Sequence, residues 1–328
     1  MNNLPAFLDS TRPDVPDLAV PRGIIPFYLP NQPVRGRLIR LGPLANTLLT
    51  RHDHPPAVRT LMGEALALAA ALASALKFTG SFSIQAKGDG PVSMLLADCT
   101  DTGELRGYAR VDAEALAALE AVMADGDVLT GRDLLGNGYL AFTVEQGADR
   151  EPQQGIVSLE GDNLAAMAEH YFATSEQLPC KVYLSAGPSD QGWRAAALII
   201  ERIAGAGGVS PEVSAEAQSE AWRTAVILAD TVTDTELLDD GITPERLLYR
   251  LFHGEGVAVD RPRALAYGCR CSRARLGDIL EGFTHDDLDH MAIDGDITMT
   301  CEFCNYDFRF PRDSVAGRPD AAQPDATP

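Results

Sequence analysis

Apolar positions between residues 58 and 78 recur at helical spacing. Leu61, Ala65, Leu68, Leu72 and Leu76 stand 4, 3, 4 and 4 apart and share one face. Met62, Leu66 and Ala69 widen that face, which predicts a deeply buried helix. The period then changes to two. Phe82, Ile84 and Ala86 alternate with polar residues, Gly88-Asp89-Gly90-Pro91 is a turn, and Val92, Met94 and Leu96 alternate again. Residues 104–111 and 138–145 also read as strands, as do 181–184 and 195–203, while 113–123 and 164–172 read as helices, the latter with Asp162 as N-cap. Strands and helices mix without strict βαβ order, so the expected class is α+β.

Gly205-Ala206-Gly207-Gly208 interrupts this pattern and marks a boundary. Residues 209–262 carry 11 acidic and 4 basic side chains, with helical periodicity at 221–230 and 244–252. Thr243 is an N-cap candidate with Pro244 at the first helical position. Five segments result: a proline-rich segment 1–33, an α+β core 34–208, a helical linker 209–262, a small module 263–312 and a tail 313–328 rich in Ala, Pro and Asp, expected to be disordered. The first holds seven prolines, so much of it is expected to be extended or disordered. No internal repeat has a fixed period.

Composition narrows the function classes. The 328 residues are 45% hydrophobic, enough for a sizeable core, and the formal net charge is −20. Such a surface repels phosphate backbones, so nucleic acid is not expected as a partner. No uninterrupted apolar run of about 18 residues predicts a membrane span. The first residues lack a basic segment followed by an apolar run, so no secretory signal is expected. The expected location is the cytoplasm, where six cysteines do not form a disulfide framework.

Four of those cysteines cluster: Cys269-x-Cys271 and, further on, Cys301-x-x-Cys304. Two close pairs separated by a helix-length segment can converge on one tetrahedral zinc ion. Ser272 could cap a helix carrying Leu276, Ile279, Leu280 and Phe283, and Thr284-x-x-Asp287 has the form of a capping box. Asp294-Gly295-Asp296 turns the chain, and Ile297, Met299, Tyr306, Phe308 and Phe310 alternate as in a hairpin. A module of about 50 residues is too small for a robust core and needs a staple; structural zinc supplies roughly 10–16 kcal/mol.

Several readings fit the cysteine pattern. One is an inert zinc staple. Another is a thioredoxin-like redox motif at Cys301 and Cys304, which lacks the expected strand–helix context. A nucleic-acid-binding ribbon fits poorly, since 263–312 holds 9 acidic and 6 basic residues. A fourth is an oxidant switch. A disulfide within Cys-x-Cys would close a small strained ring, such bonds are labile, and oxidising a zinc-bound thiolate weakens the site that folds the module.

At this point the sequence resembles the heat shock protein 33 family, the 33 kDa chaperonins. The two cysteine pairs match that family's zinc-binding signature. So do ordered segments along the chain, among them Val34-Arg35-Gly36-Arg37-Leu38, Gln85-Ala86-Lys87-Gly88-Asp89-Gly90-Pro91, Gly136-Asn137-Gly138-Tyr139 and Ser175-Glu176-Gln177-Leu178-Pro179. The resemblance runs from about residue 34 to 310. It implies a redox-regulated, ATP-independent holdase and not an enzyme. In the reduced state Cys269, Cys271, Cys301 and Cys304 would hold one Zn²⁺. On oxidation Cys269 would pair with Cys271 and Cys301 with Cys304, zinc would leave, the linker would unfold, and a homodimer would bind unfolding or oxidatively damaged clients. The apolar linker side chains Trp222, Val226 and Ile227 are candidates for client contact. Asn305 stands where glycine is expected in many members; asparagine tolerates the left-handed conformation.

Other residues have plainer readings. Cys99 and Cys180 are expected to be core filler. His52 and His54 precede Pro55-Pro56 and read as a solvated loop, and His285 and His290 as surface helix. Gly131 and Gly136 are not a phosphate loop, because Asn137-Gly138 replaces Lys-Ser/Thr.

Overall fold

The structure, a computed structural model, describes residues 18–30, 32–124, 127–147, 150–203 and 214–319. The expected break at 205–208 lies outside them, as do most of the proline-rich segment and the last residues of the tail. The chain forms two compact units, one within Asp17–Gly268 and one within Cys269–Pro328.

The larger unit opens with strands β1 (Ala19–Tyr28) and β2 (Val34–Arg40) and helices α1 (Pro43–Leu49) and α2 (Pro56–Ala75). A meander follows: β3 (Ser81–Gly88), β4 (Val92–Thr100), β5 (Glu104–Val111), α3 (Ala113–Val122), α4 (Gly131–Leu135), β6 (Gly138–Glu145) and β7 (Gln153–Ser158). Helix α5 (Leu164–Tyr171) leads to β8 (Cys180–Ser189) and β9 (Gly192–Arg202). The linker region supplies α6 (Ala215–Ala229), α7 (Asp234–Leu238), α8 (Pro244–Phe252) and β10 (Ala258–Val259), and β11 (Arg263–Tyr267) follows it. The mixed sheet and its helices make the α+β class that the sequence predicts.

One sheet runs β7-β6-β3-β4-β5-β11-β1-β2-β9-β8, with β10 beside β1. Every pairing is antiparallel except β11 with β5. Ala19–Tyr28, inside the proline-rich segment, takes the extended one of its two expected readings and joins the sheet, because Ile25 and Phe27 alternate and give it a face to bury. One segment differs from the sequence reading. Arg263–Tyr267, expected to open the small module, pairs with β1 and β5, and the division between the units falls at Cys269.

Helix α2 packs against strands from both halves of the sheet, including β3, β4, β5, β8 and β9. It is long and apolar enough to cross a membrane by length and composition, but 72% of that stretch is buried inside the molecule, the position of a core helix. Gly63 allows this approach: a Cβ there would stand 2.7 Å from that of Ala186. Asn163, not Asp162, caps α5, its Oδ1 accepting from the Ala166 amide at 2.9 Å. Both residues can accept; the helix starts at Leu164 as the pattern predicts, and the cap is the residue directly before it.

The linker helices cover one face of β1, β2 and β9. Ile25, Phe27, Val34, Leu38, Leu198 and Ile200 meet Ala225, Ala229, Leu247, Leu248, Leu251 and Phe252 in one buried cluster. The rings of Phe27 and Phe252 stack with centroids 5.5 Å apart. Burying each large side chain contributes about 1.5–3 kcal/mol, so this cluster dominates the attachment. Trp222 and Val226 pack at its edge, whereas Ile227 is 59% exposed and faces solvent.

Polar groups ring the cluster. The buried Arg40 guanidinium donates to the carbonyls of Asp239 (2.8 Å), Glu236 (2.6 Å) and Ile242. Arg194 pairs with Asp240 at 2.6 Å and the Tyr183 hydroxyl donates to Asp230 at 2.7 Å. Arg22 pairs with Glu245.

Candidate metal centre

The smaller unit is built from short, capped elements. Ser272 Oγ accepts from the Arg275 amide and opens α9 (Arg273–Leu280), as its place after the cysteine pair predicts. Thr284 and Asp287 form a reciprocal capping box that opens α10 (His285–Met291). Asp294 and Gly295, both at positive φ, turn the chain into a hairpin of β12 (Asp296–Thr300) and β13 (Asp307–Pro311). Leu280, Leu288, Ile297, Phe308, Phe310 and Val315 are buried, and the Arg273 guanidinium lies over the Phe310 ring at 4.4 Å. Residues 313–319, read from sequence as the start of a disordered tail, extend this unit instead. Val315 is buried, the Arg318 amide donates to the Phe283 carbonyl at 2.7 Å, and the Arg318 carbonyl accepts from the His285 amide.

Cys301 and Cys304 occupy the hairpin turn. The Cys301 amide donates to the Tyr306 carbonyl at 3.0 Å and the Asn305 amide to the Cys301 carbonyl at 2.8 Å. Asn305 sits at φ 55°, the left-handed geometry that asparagine tolerates. The other pair, Cys269 and Cys271, precedes α9.

All four cysteines are buried, and their Sγ atoms lie within 4.8 Å of one another. Cys269 Sγ is 3.4 Å from Cys271 Sγ and 3.7 Å from Cys301 Sγ; Cys271 Sγ is 3.5 Å from Cys304 Sγ. Four thiolates at about 2.3 Å from a central ion would stand about 3.8 Å apart, so these distances fit a single tetrahedral ion. The thiols are free, not disulfide-bonded.

Crowding splits their acidities. Hydrogen bonding to Cys271 lowers the Cys269 thiol to about 7. Hydrogen bonding to Cys269 and then to Cys271 takes Cys301 well below the ordinary thiol range. Cys271 and Cys304 are pushed up, each chiefly by its hydrogen bond to Cys269. A shared cation reverses that upward push and lets all four be thiolates. This is the one group of three or more candidate ligands among the described residues.

The remaining cysteines and the histidines are elsewhere. Cys99 is buried in β4, and burial first pushes the Cys180 thiol up to about 12, which keeps it unreactive. His285 and His290 are exposed on α10. His52 and His54 are half-buried, not solvated: their rings stack at 5.2 Å, and burial, then His52 and Arg59, lowers His54 to about 4. Pro55 precedes α2 as its N-cap, and Arg59 of that helix donates to Asp53 at 3.2 Å, which ties the loop to the helix entry. The polar clasps of Arg40 and Arg194 carry no sequence signal, since most of their partners are backbone carbonyls.

Comparison with known proteins fits this geometry. The "33 kDa chaperonin" of Caulobacter vibrioides (strain NA1000 / CB15N) is 41% identical over 285 residues, covering 85% of this chain and 91% of that protein. The protein of the same name from Ectopseudomonas mendocina is 35% identical over 294 residues, covering 88% and 92%. The crystal structure of the 33 kDa chaperonin from Thermotoga maritima superposes with a TM-score of 0.73 at 20% identity, covering 90% of this chain and 96% of that one, which supports the fold. A family model described as Hsp33 protein matches residues 23–311, and with these relatives it shows that the chain belongs to the Hsp33 family.

Proposed function

We propose that this chain is an oxidation-activated, ATP-independent holdase whose sensor is a zinc ion held by Cys269, Cys271, Cys301 and Cys304. The observation that carries the reading is the convergence of four buried Sγ atoms at the base of a module with few buried side chains of its own. Bound zinc would hold the four sulfurs as thiolates and supply folding energy to the module.

Oxidation acts on the residues themselves. The thiolates of Cys301 and Cys304 would lose two electrons and form one S–S bond, as would those of Cys269 and Cys271. For each bond one hydrogen peroxide takes up those two electrons and two protons from the solvent and is reduced to two waters. Sulfurs bonded to each other no longer offer thiolates to a metal, and the small unit loses its staple. The linker helices α6 to α8 would then come off the sheet. Their interior attachment is apolar while their rim is made of ion pairs and charged hydrogen bonds, so heat weakens it. The uncovered cluster is an apolar surface of the kind that holds an unfolded client. We further propose a cytoplasmic protein that dimerises when oxidised and takes unfolding proteins, not nucleic acid or membranes, as partners. Cys301 and Cys304 lie in a hairpin turn, not at a helix N-terminus, which weighs against a catalytic disulfide exchanger.

The test is paired. Zinc content and suppression of a thermally aggregating protein are measured before and after peroxide treatment at raised temperature. The expected result is loss of about one zinc per chain together with a gain in suppression. Equal suppression by the reduced and the oxidised, zinc-free forms overturns the reading.

A further inference from the structure

Strands far apart in the sheet order border one cleft of about 680 Å³ in the larger unit. In that order β7 stands first and β9 next to last, yet Gly155 of β7 and Glu201 of β9 both line it. The sheet therefore curves around α2. The cleft is the space left at the C-terminal end of that helix, where Leu72, Ala75 and Leu76 face it.

The register defines one wall. Phe82 stands opposite Val144, Phe142 opposite Gly155 and Val144 opposite Gln153. Opposite residues share a face, as do residues two apart, so these five lie together on the α2 side of the sheet. Gly155 admits a further ring there, since a Cβ at that position would stand 2.4 Å from the Tyr171 hydroxyl. The Phe142 and Tyr171 rings are 4.3 Å apart, and Phe172 stands edge-on to Tyr171. Leu76, which ends α2, is exposed beside this aromatic wall.

The opposite wall is charged. Arg35 and Arg37 both donate to Oε1 of Glu201, through Nε and Nη1 respectively, each at 2.6 Å. Two guanidiniums on one carboxylate leave one positive charge. Arg37 and Glu201 are buried, whereas the Arg35 side chain is 45% exposed and lines the cleft. Among the described residues Arg35 bonds through Nε alone, which leaves its two terminal nitrogens in the fork that suits a carboxylate. The other carboxylate of the cleft, Glu176, accepts from the Tyr171 hydroxyl at 2.8 Å and so belongs to the β7 wall, away from Arg35.

We propose that this cleft binds a single-chain amphiphile with one negative charge, a fatty carboxylate of about ten carbons, its headgroup on the terminal nitrogens of Arg35 and its chain against α2 and the aromatic wall. A mostly apolar cleft of roughly 300–1,000 Å³ with a few convergent polar groups is the form that small-molecule sites take. One negative charge balances the group of Arg35, Arg37 and Glu201, whereas a neutral or cationic head leaves it unbalanced. The chain as a whole carries −20, so an anion is drawn by this group and not by the surrounding surface. No cysteine and no residue of α6 to α8 lines the cleft, so the inference goes beyond the holdase reading and does not depend on it.

The test titrates the full-length, reduced, zinc-loaded protein with sodium decanoate, below the concentration at which it forms micelles, by isothermal titration calorimetry. Saturation at about one equivalent per chain is expected. Octanoate should bind about tenfold more weakly, because two buried CH₂ groups are lost. Decanol, which keeps the chain and lacks the charge, should also lose about tenfold. Arg35→Gln should bind decanoate about tenfold more weakly and decanol as the parent does, with thermal melting and zinc content unchanged, since Arg37 still pairs with Glu201. Equal affinity of decanol and decanoate for the unaltered protein overturns the proposal, and that comparison needs no variant to fold. Parent-like decanoate binding by well-folded Arg35→Gln overturns it too, as does uptake beyond one equivalent without saturation, which is adsorption. Sedimentation with phosphatidylglycerol vesicles, in the absence of any heat from free decanoate, would assign the charge to a membrane lipid and likewise overturn it.

Discussion

Cys271 Sγ and Cys304 Sγ lie 3.5 Å apart although 33 positions separate them in the chain. One comes from the segment before α9 and the other from the β12–β13 turn, so the contact ties the two ends of the small unit together. Cys271→Ser replaces a soft thiolate by a hydroxyl that zinc binds poorly. Sharing about 10–16 kcal/mol of metal-coupled folding energy among four ligands assigns roughly 3 kcal/mol to each, or about a hundredfold in affinity. Competition with a chromophoric chelator should show that loss, and circular dichroism should show a less structured small unit. Zinc affinity equal to that of the parent would mean the ligand set is wrong.

The capping chemistry of this unit was legible because it is local: Ser272, Thr284 and Asp287 act within three residues of where they stand. The cysteine pairs were legible because their spacing is itself the signal. The parallel pairing of β11 with β5 was not, since it joins Ala266 to Glu104, and neither strand's alternation encodes a partner so distant. The same holds for Arg40, a basic residue in a strand whose buried guanidinium is explained only by carbonyls near residue 240.

Arg40 gives the next expectation. Its guanidinium, whose pKa is lowered by burial, holds the chain between α7 and α8 through three carbonyls. Hydrogen bonds to a charged group contribute about 1.5–3 kcal/mol. Arg40→Ala should leave the zinc site intact but loosen the linker. Amide hydrogen exchange across 234–252 should quicken by about tenfold or more in the reduced protein, and suppression of aggregation should begin at a lower temperature than in the parent. Unchanged exchange there would show that the apolar cluster alone fixes the linker.

Glu64 predicts a pH effect with a definite sign. Burial in α2 first, and then Asp234 on α7, raise its carboxyl to about 7. A carboxyl raised in the folded state binds its proton more tightly there than in the unfolded chain. Its favourable contribution is complete below the unfolded value of about 4.3 and is lost as pH rises through 7. The span corresponds to about 4 kcal/mol at most. Glu64→Gln should therefore be more stable than the parent to urea at about pH 8, with the difference shrinking towards about pH 5. A difference that grows on acidification would show that Glu64 is ionised and paired in the fold.

His54 has the opposite sign. Burial, followed by the neighbouring His52 and Arg59, lowers its imidazole to about 4, so the fold holds it neutral. Stability from this group is present above the unfolded value of about 6.5 and is lost as pH falls towards 4. His54→Gln keeps a polar side chain of similar reach without a titrating ring. Its stability relative to the parent should rise as pH falls from about 6.5 to about 4, in urea unfolding followed by tryptophan fluorescence. A constant offset between the two proteins across that window would place the titration elsewhere.

Asn305 tests the turn that carries the second cysteine pair. It holds φ 55° between Cys304 and Tyr306, and its amide closes the turn on the Cys301 carbonyl at 2.8 Å. The left-handed region costs ordinary residues roughly 1–2 kcal/mol, asparagine less and glycine nothing. Asn305→Gly should thus match or slightly exceed the parent in zinc retention. Asn305→Val pairs the same backbone demand with a β-branched side chain that resists it, and should weaken zinc binding by about tenfold in the chelator competition. If Val binds zinc as tightly as Gly, the turn does not control how Cys301 and Cys304 are presented, and the hairpin adapts to the metal instead of preparing for it.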